Sequence, residues 1–320
     1  MSVRSSILEI LEKNRDSSVS GRFLAETLGV SRAAVWKAVE SLRSEGYDIE
    51  AANNRGYRLS EDTDILSAPA IKNHLSEDVD LVVLKTVDST NKYAKKLAID
   101  GAADKTAVIA ETQTSGRGRL GRSFYSPEGT GLYMSVILRP EKKAEEALFI
   151  TVAAAVAVCR AIEKLSDASP QIKWVNDVFI GGRKVCGILT EAAGSMENGM
   201  IEYAVLGIGV NVRTHDFPSD IEKTAGSLEK QRISRNELCA EILNQLFNLI
   251  SNEDRKSLIE EYKNKSLVLG KQVSFTKNGE RFSGIAEDIN GEGNLIVRTP
   301  HGTEILISGE VTIGSDSYAE

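Results

Sequence analysis

The sequence predicts a multidomain α/β protein in three parts: an N-terminal winged helix-turn-helix over residues 1–62, a central α/β body with a mixed sheet over 63–266, and a small C-terminal β domain of the SH3-like barrel type over 267–320. Three observations predict it. In the first sixty residues, two helical patterns flank a glycine turn and a hairpin signal comes after them. In the middle, buried-strand runs alternate with helical patterns around a loop rich in arginine and glycine. In the last fifty, four or five short strands are separated by Asn-Gly and similar turns. A chain of 320 residues is long enough for two or three cores.

Ile7, Leu8, Ile10 and Leu11 predict a short amphipathic helix. A second begins at Val19-Ser20-Gly21, with Phe23, Leu24 and Leu28 expected on one face, and Gly29 is its C-cap. Ser31 is an N-cap for a third helix over about Arg32 to Glu45, whose Val35, Val39 and Leu42 face the core. Arg32, Ala33, Trp36, Lys37 and Arg43 are expected among its exposed positions. Tyr47–Ala51, the turn Asn53-Asn54-Arg55-Gly56, and Tyr57-Arg58-Leu59 form the wing. Such a unit binds DNA or protein. Lys37 on the recognition helix and Arg55 at the wing tip favour DNA, read by Ser20, Gly21, Ser31, Arg32, Ala33, Trp36, Lys37 and Arg55. One small unit makes few phosphate contacts, so specific affinity calls for a dimer on two half-sites.

Glu61 to Asp64 reads as a polar linker, and Ser67-Ala68-Pro69 opens a short helix. The strand Leu81–Leu84 runs into Asp88-Ser89-Thr90-Asn91 and a helix over Lys92 to Ile99. Small polar side chains at this junction either seat a polar ligand head or simply cap the helix. The next strand, Thr106 to Ala110, feeds Gln113-Thr114-Ser115-Gly116-Arg117-Gly118-Arg119-Leu120-Gly121-Arg122-Ser123-Phe124. Glycines allow close backbone approach and arginines offer planar forks for carboxylate and phosphate. The loop is expected to be unstable when empty and to order over an anionic ligand. Gly116-x-Gly118-x-x-Gly121 also matches a dinucleotide fingerprint, but that needs a helix opening inside it. The stretch from Ser123 to Gly131, with Pro127 inside it, reads as loop, and the nicotinamide reading is rejected.

Leu132–Leu138 is a buried strand, and Ala144 to Leu165 an alanine-rich helix packed closely on a sheet. Lys173, Trp174, Asn176 and Asp177 lie amid strand residues, where polar groups need partners, which suggests a ligand site or a structural network. A hairpin at Gly181-Gly182-Arg183 returns through Lys184 to Glu191. Ile201–Leu206 ends in Gly207-Ile208-Gly209-Val210-Asn211, again permitting close approach, and Ser234 to Tyr262 holds one or two helices. Nothing in the C-terminal strands looks catalytic. Cys159, Cys186 and Cys239 are widely spaced and read as buried hydrophobes in a reducing compartment. The three histidines are scattered and suggest no metal or triad site. The net charge of −7 argues against a globally basic nucleic-acid binder. No run approaches membrane-spanning length, and a cytoplasmic location is expected.

Thr90-Asn91, Gly116-Arg117-Gly118-Arg119-x-Gly121-Arg122, Lys173-Trp174-x-Asn176-Asp177 and Lys184-x-x-Gly187-Ile188-Leu189 stand in one order and spacing. Together they resemble the bifunctional biotin–protein ligases that also repress biotin operons, over nearly the whole chain. Leu120 stands where many relatives carry a basic residue, and Val175 where proline is usual. The resemblance implies a class II synthetase-like ligase domain that makes biotinyl-5′-AMP from biotin and ATP. Biotin then passes to a lysine of a biotin carboxyl carrier protein. It implies a biotin site of Ser89, Thr90, Asn91, Gln113, Arg117, Gly118, Arg119 and Lys184. Gly116, Arg119, Arg122, Phe124, Lys173, Asn176 and Asn211 are implied for the adenylate. Arg117, Arg119, Arg122, Lys184 and Asp177 are the expected catalytic set, with Asp177 orienting or deprotonating the acceptor amine. No protein motif binds metal, and Mg²⁺ is expected to arrive with ATP. Operator DNA and a homodimer promoted by biotinyl-5′-AMP complete the expected partners. Alternatives are a lipoate–protein ligase, a ligand-sensing repressor with an inactive body, and a ligase whose winged helix no longer binds DNA.

Overall fold

The computed structural model describes residues 2–52, 56–140, 147–194, 200–231 and 233–314. Its N-terminal part has α1 (Val3–Glu12), α2 (Gly21–Leu28), α3 (Arg32–Ser44), β1 (Ile49–Ala52) and β2 (Gly56–Leu59). Local chemistry sets the helix ends. The Ser20 and Ser31 hydroxyls accept from the amides of Phe23 and Ala34, and Gly29 ends α2 with φ 64°. Ile7, Leu11, Leu24, Val35, Val39, Leu42 and Leu59 form the core. The two strands pair antiparallel, Ile49 opposite Leu59. Two 2.8 Å hydrogen bonds between Val19 and Tyr57 fasten the wing to the start of α2. Gly56 (φ 101°) permits this, since a Cβ there would lie 2.1 Å from the Val19 carbonyl oxygen. The wing tip, with Arg55, lies outside the described residues.

Two face assignments are corrected. Phe23 is 53% exposed rather than packed with the buried Leu24, since consecutive helical positions do not share a face. Arg43 is half-buried, folded back to donate to the Ile49 carbonyl at 2.9 Å. It thereby ties α3 to the first wing strand.

The polar linker is fixed at both ends. Arg15 of the winged helix, paired with Glu12, donates to the carbonyls of Ser60 (3.3 Å) and Thr63 (3.1 Å). Asp64 then accepts from the Arg235 amide at 2.8 Å and pairs with Arg235 at 3.0 Å and with Arg213. Arg235 also pairs with Glu111 at 2.7 Å. Burial disfavours its charge, but the two carboxylates outweigh burial and raise its pKa.

The body contains α4 (Ala68–Lys72), β3 (Leu81–Val87), α5 (Thr90–Ile99), β4 (Ala107–Gln113), β5 (Gly131–Leu138), α6 (Ala147–Leu165), β6 (Gln171–Lys173), β7 (Asp177–Ile180), β8 (Arg183–Gly194), β9 (Ile201–Asn211), α7 (Arg235–Ser251) and α8 (Arg255–Asn264). Seven strands form one sheet in the order β3-β4-β5-β9-β8-β7-β6. Only β3 and β4 run parallel, so the sheet is mixed as expected. The alanines of α6 let it lie between the sheet and α7 and α8, and most of its residues are buried. On the opposite face α5 packs through Ala94 and Ala98 on Val108, Ile137 and Val205. The 171–180 stretch is two short strands joined by a turn, and its Trp174–Val175 peptide is cis.

The C-terminal part is β10 (Gln272–Lys277), β11 (Glu280–Ile289), β12 (Leu295–Thr299), β13 (Gly302–Leu306) and β14 (Val311–Ile313). They form an antiparallel sheet ordered β13-β12-β11-β10-β14. The expected barrel is not closed: among the described residues, β13 and β14 are edges that do not pair. The reason lies in what covers the apolar face. Val273, Phe275, Ala286, Leu295, Val297 and Val311 join the same core as Val152, Val156 and Trp174 of the body. That face is dry without the sheet folding onto itself. The Trp174 indole N–H donates to the Gly293 carbonyl at 3.0 Å across the junction. Among the described residues no helix is long and apolar enough to cross a membrane.

Candidate active site

The site is built on a floor of three strands. Register sets Ser135 of β5 opposite Gly207 of β9, Gly207 opposite Leu189 of β8, and Gly187 opposite Gly209. The missing side chains make room for what lies above. A Cβ on Gly207 would come 2.2 Å from Asn91 Oδ1, and one on Gly209 2.6 Å from the Phe124 ring. The close approach read from these glycines is thus approach by the protein's own Asn91 and Phe124.

Ser89 precedes α5 with extended backbone, and its side chain makes no capping bond. Thr90 and Asn91 are buried and joined to β4 and β5. The Thr90 amide and hydroxyl both donate to Gln113 Oε1, at 2.9 and 3.1 Å. Gln113 Nε2 donates to the Ser126 hydroxyl at 2.9 Å, which donates to the Phe124 carbonyl. The Ser135 hydroxyl lies 2.8 Å from Thr90 Oγ1 and 2.7 Å from Asn91 Oδ1. Asn91 Nδ2 donates to Glu191 Oε2 at 2.9 Å. The result is a small pocket of about 30 Å³, room for a water or two, lined by Ser89, Thr90, Asn91, Gln113, Arg117 and Phe124 among others.

The arginine loop forms its own narrow ladder. Gly118 N–H donates to the Arg122 carbonyl at 2.7 Å and Phe124 N–H to the Gly116 carbonyl at 2.9 Å. A Cβ on Gly116 would lie 2.4 Å from the Phe124 oxygen, so this turn needs glycine there. This ladder gives the loop backbone partners of its own, which composition does not reveal. Each arginine has its own partner. Arg117 pairs with Glu191 at 3.2 Å, Arg119 donates to Asn176 Oδ1 at 2.8 Å, and Arg122 pairs with Glu310 at 2.8 Å. Leu120 sits at the tip, 74% exposed with φ 53°.

Beyond Phe124 and Arg117, which line both spaces, opens a cleft of about 640 Å³. Lys173, Asn176, Asp177, Lys184 and Asn211 line it. Lys184 Nζ lies 2.7 Å from Asp177 Oδ1, and Asn176 Nδ2 donates to that same oxygen at 3.0 Å. Lys173 stacks over Phe179 at 5.9 Å, and burial lowers its pKa despite Asp177 and Glu310. Asn211 is buried with its amide donating to the Gly226 carbonyl at 3.0 Å, which anchors the opposite wall.

Sequence reasoning missed that wall and three supports. Phe217, Ile221, Thr224 and Ala225 close the far side, with Tyr125 and Phe217 rings 6.4 Å apart. The segment has no strand or helix period to draw notice. Ser135 and Glu191 hide in apolar strands and meet the pocket only through register. Glu310 comes from the C-terminal sheet, which had seemed free of site residues. On the winged helix, Arg32, Ala33, Trp36 and Lys37 are all exposed and lie along one side of α3. Ser20 and Ser31 are capping residues, and Gly21 lies under the Tyr57 ring.

A polar pocket joined to a cationic cleft, on a mixed sheet with a helix-turn-helix in front, suits a body that binds an anionic ligand and carries a DNA-binding type of module. Residues 83–211 match the biotin/lipoate A/B protein ligase family, 3–58 an HTH domain, and 268–314 the biotin protein ligase C terminal domain. The chain is 34% identical to the bifunctional ligase/repressor BirA of Bacillus spizizenii, covering 98% of this chain and 99% of the relative. It is 29% identical to BirA of Escherichia coli, over 92% and 93%. Among solved structures, the Aquifex aeolicus biotin protein ligase in complex with biotin and ATP superposes with a TM-score of 0.63 at 28% identity, over 73% of this chain and 98% of that one. This chain belongs to the family of bifunctional biotin–protein ligases and transcriptional repressors. It is an ATP-dependent, AMP-forming biotin–protein ligase and a DNA-binding repressor of biotin genes. Biotin and ATP are its substrates, whereas the family match over the body alone leaves lipoate open.

Proposed function

We propose that the small pocket takes the biotin ring and the cleft takes the adenylate, with residues 1–62, 63–266 and 267–320 acting as DNA-binding, ligase and capping units. The observation that carries this is the shared boundary: Arg117, Phe124, Gly187 and Leu189 line both spaces. A molecule with a compact ureido-bearing bicycle at one end and a phosphate at the other would lie across them. Ser89, Thr90, Asn91 and Gln113 then address the ring, with the backbone around Gly118. The room in the pocket is small, so ring entry displaces the Phe124 side chain. Arg119, Arg122, Lys173, Asn176 and Asn211 surround the nucleotide part, while Gly116 lines neither space and acts by shaping the loop. We assign a class II synthetase-like ligase body, and we assign the C-terminal sheet to the SH3-like class by its strand order while it remains open.

In the first step the biotin carboxylate attacks the α-phosphorus, an acyl–phosphate bond forms, and the bond to pyrophosphate breaks. Two anions must meet, and negative charge builds on the phosphoryl oxygens. Lys184 has three donors, so it keeps Asp177 while reaching the anion, and Arg119 and Arg122 face the same cleft. Among the described residues no cluster of three or more acidic, histidine or cysteine side chains forms a metal cage. Asp177 and Glu310 are the carboxylates that line the cleft, and a Mg²⁺ ion arriving with the ATP phosphates would supply charge neutralisation beside them. In the second step a lysine amine of a biotin carboxyl carrier protein attacks the acyl carbon and AMP leaves. The Lys184 and Asn176 contacts both fall on Asp177 Oδ1, and Oδ2 is assigned to orient the amine or take its proton.

The repressor activity follows from the same loop. Biotinyl-5′-AMP holding the arginines in place creates a dimer surface, and two copies of α3 then meet a two-fold operator. Carrier protein that needs biotin competes for that surface and removes the corepressor. Labelling a purified carrier domain with biotin is expected only when ATP is present, and label without ATP, or lipoate accepted as readily, overturns the ligase reading. Sedimentation at micromolar protein is expected to move from monomer toward dimer on adding biotin and ATP. An unchanged coefficient would remove the corepressor mechanism.

A further inference from the structure

Glu191 is not a pocket-lining residue, yet it touches both halves of the site. It stands on β8 opposite Val205 of β9, with its side chain about two-thirds buried. One carboxylate oxygen, Oε2, receives Asn91 Nδ2 at 2.9 Å; the other, Oε1, pairs with Arg117 at 3.2 Å. Asn91 belongs to α5 and lies on the strand floor of the pocket. Arg117 belongs to the loop that roofs it. These elements have no direct link of their own through those side chains, and a single carboxylate joins them.

Four further facts make the link directional. Asn91 Nδ2 also donates to the Leu189 carbonyl at 3.3 Å, and Asn91 Oδ1 accepts from Ser135 at 2.7 Å. The amide therefore has one orientation, donor toward β8 and acceptor toward β5. The absent side chain at Gly207 lets it lie on the sheet. On the same strand, Thr190 meets Thr151 of α6 across a 2.7 Å hydroxyl pair, which anchors β8 from its other face. The Glu191 position is thus held by the scaffold and not by the loop.

We propose that Glu191 is a positioning residue that latches the arginine loop to the vitamin pocket, so that ring recognition and retention of the acyl-adenylate are set by one carboxylate. This rests on the biotin and adenylate assignment above. Its two oxygens carry separable tasks: Oε2 orients Asn91 for the ring, and Oε1 fixes Arg117 and with it the roof over the intermediate. Charge matters for the second task more than the first. An amide can still accept from Asn91, but its NH₂ then faces the donors of Arg117 and repels them.

The test measures KM for biotin, KM for ATP, kcat for adenylate formation and the release rate of pre-formed biotinyl-5′-AMP in the full chain. Glu191→Gln is expected to keep the biotin KM within about twofold while release quickens by about fivefold, the upper scale of a partly exposed ion pair. Glu191→Ala is expected to raise both the biotin KM and release by about tenfold or more, leaving the ATP KM within about twofold. The split between the two variants is what a merely structural residue does not give. Release at the wild-type rate in Glu191→Gln overturns the latch, and so does a parallel decline of every parameter in both variants. If Glu191→Ala does not fold, the release rate of Glu191→Gln alone decides. Wild-type protein that fails to form adenylate would instead overturn the assignment of the site, so the two failures are distinguishable.

Discussion

Lys184→Gln is expected to lower the rate of adenylate formation by about two to three orders of magnitude, the size found when one pre-set donor to a developing anion is removed. The lysine sits 2.7 Å from Asp177 on the wall of the cleft. Without its charge the carboxylate of biotin and the α-phosphate meet opposite an unbalanced Asp177, so the substitution both removes attraction and exposes repulsion. The fold should tolerate it. The backbone of Lys184, which receives Gly226 N–H and donates to the Thr224 carbonyl at 2.8 Å each, does not depend on the side chain. The ion pair is partly exposed, and its loss should change stability by only about 0–1 kcal/mol. Single-turnover pyrophosphate release measures the effect, with biotin binding as the control. Binding should change little, since the ring is addressed from the other pocket. A rate within about threefold of wild type would show that Lys184 does not serve the phosphoryl step.

The largest stability effect is expected for Arg235→Ala. The side chain is 3% exposed and bridges two carboxylates that are themselves nearly buried, Asp64 at 9% and Glu111 at 12%. Removing one partner from such a cluster leaves uncompensated charge in a dry place, a loss of about 3–5 kcal/mol. The physical reason is asymmetric: the cluster contributes little net attraction, but breaking it is expensive. Urea unfolding should show a lower midpoint with an unchanged slope. Equal midpoints for variant and wild type would mean that water or Arg213 replaces the lost partner. The effect should reach further than stability. Asp64 ends the linker from the winged helix, and Glu111 stands two residues before Gln113 in β4. Protease cleavage between residues 60 and 67 should accelerate in the variant, because Asp64 loses one of the partners that hold the linker to α7.

The site was only half legible beforehand. Thr90, Asn91, Gln113, the loop arginines and Lys184 are polar groups at element ends, where a polar side chain is conspicuous, and they do line the two spaces. Ser135 is one hydroxyl in an eight-residue strand buried throughout, and only its neighbour across the sheet gives it meaning. Glu310 is 188 residues from Arg122 in the chain. No local pattern encodes a meeting at that separation. Asp64 read as linker because it lies among other acidic residues, yet among the described residues its carboxylate is one of the more enclosed.

What the sequence by itself determined are the features governed by neighbours in the chain. These are the serine caps and the left-handed Gly29 of the winged helix, the strand and helix periods of the body, and the glycines and arginines of the loop. Their physics is short-ranged, a hydrogen bond three residues away or an apolar face repeating along one element. What only the tertiary structure decided is which side chains complete the site and whether the last sheet closes. Those depend on strand register and on which apolar face covers another. Packing between distant elements settles both: Gly207 beneath Asn91, Glu191 between Asn91 and Arg117, and the body against the C-terminal sheet.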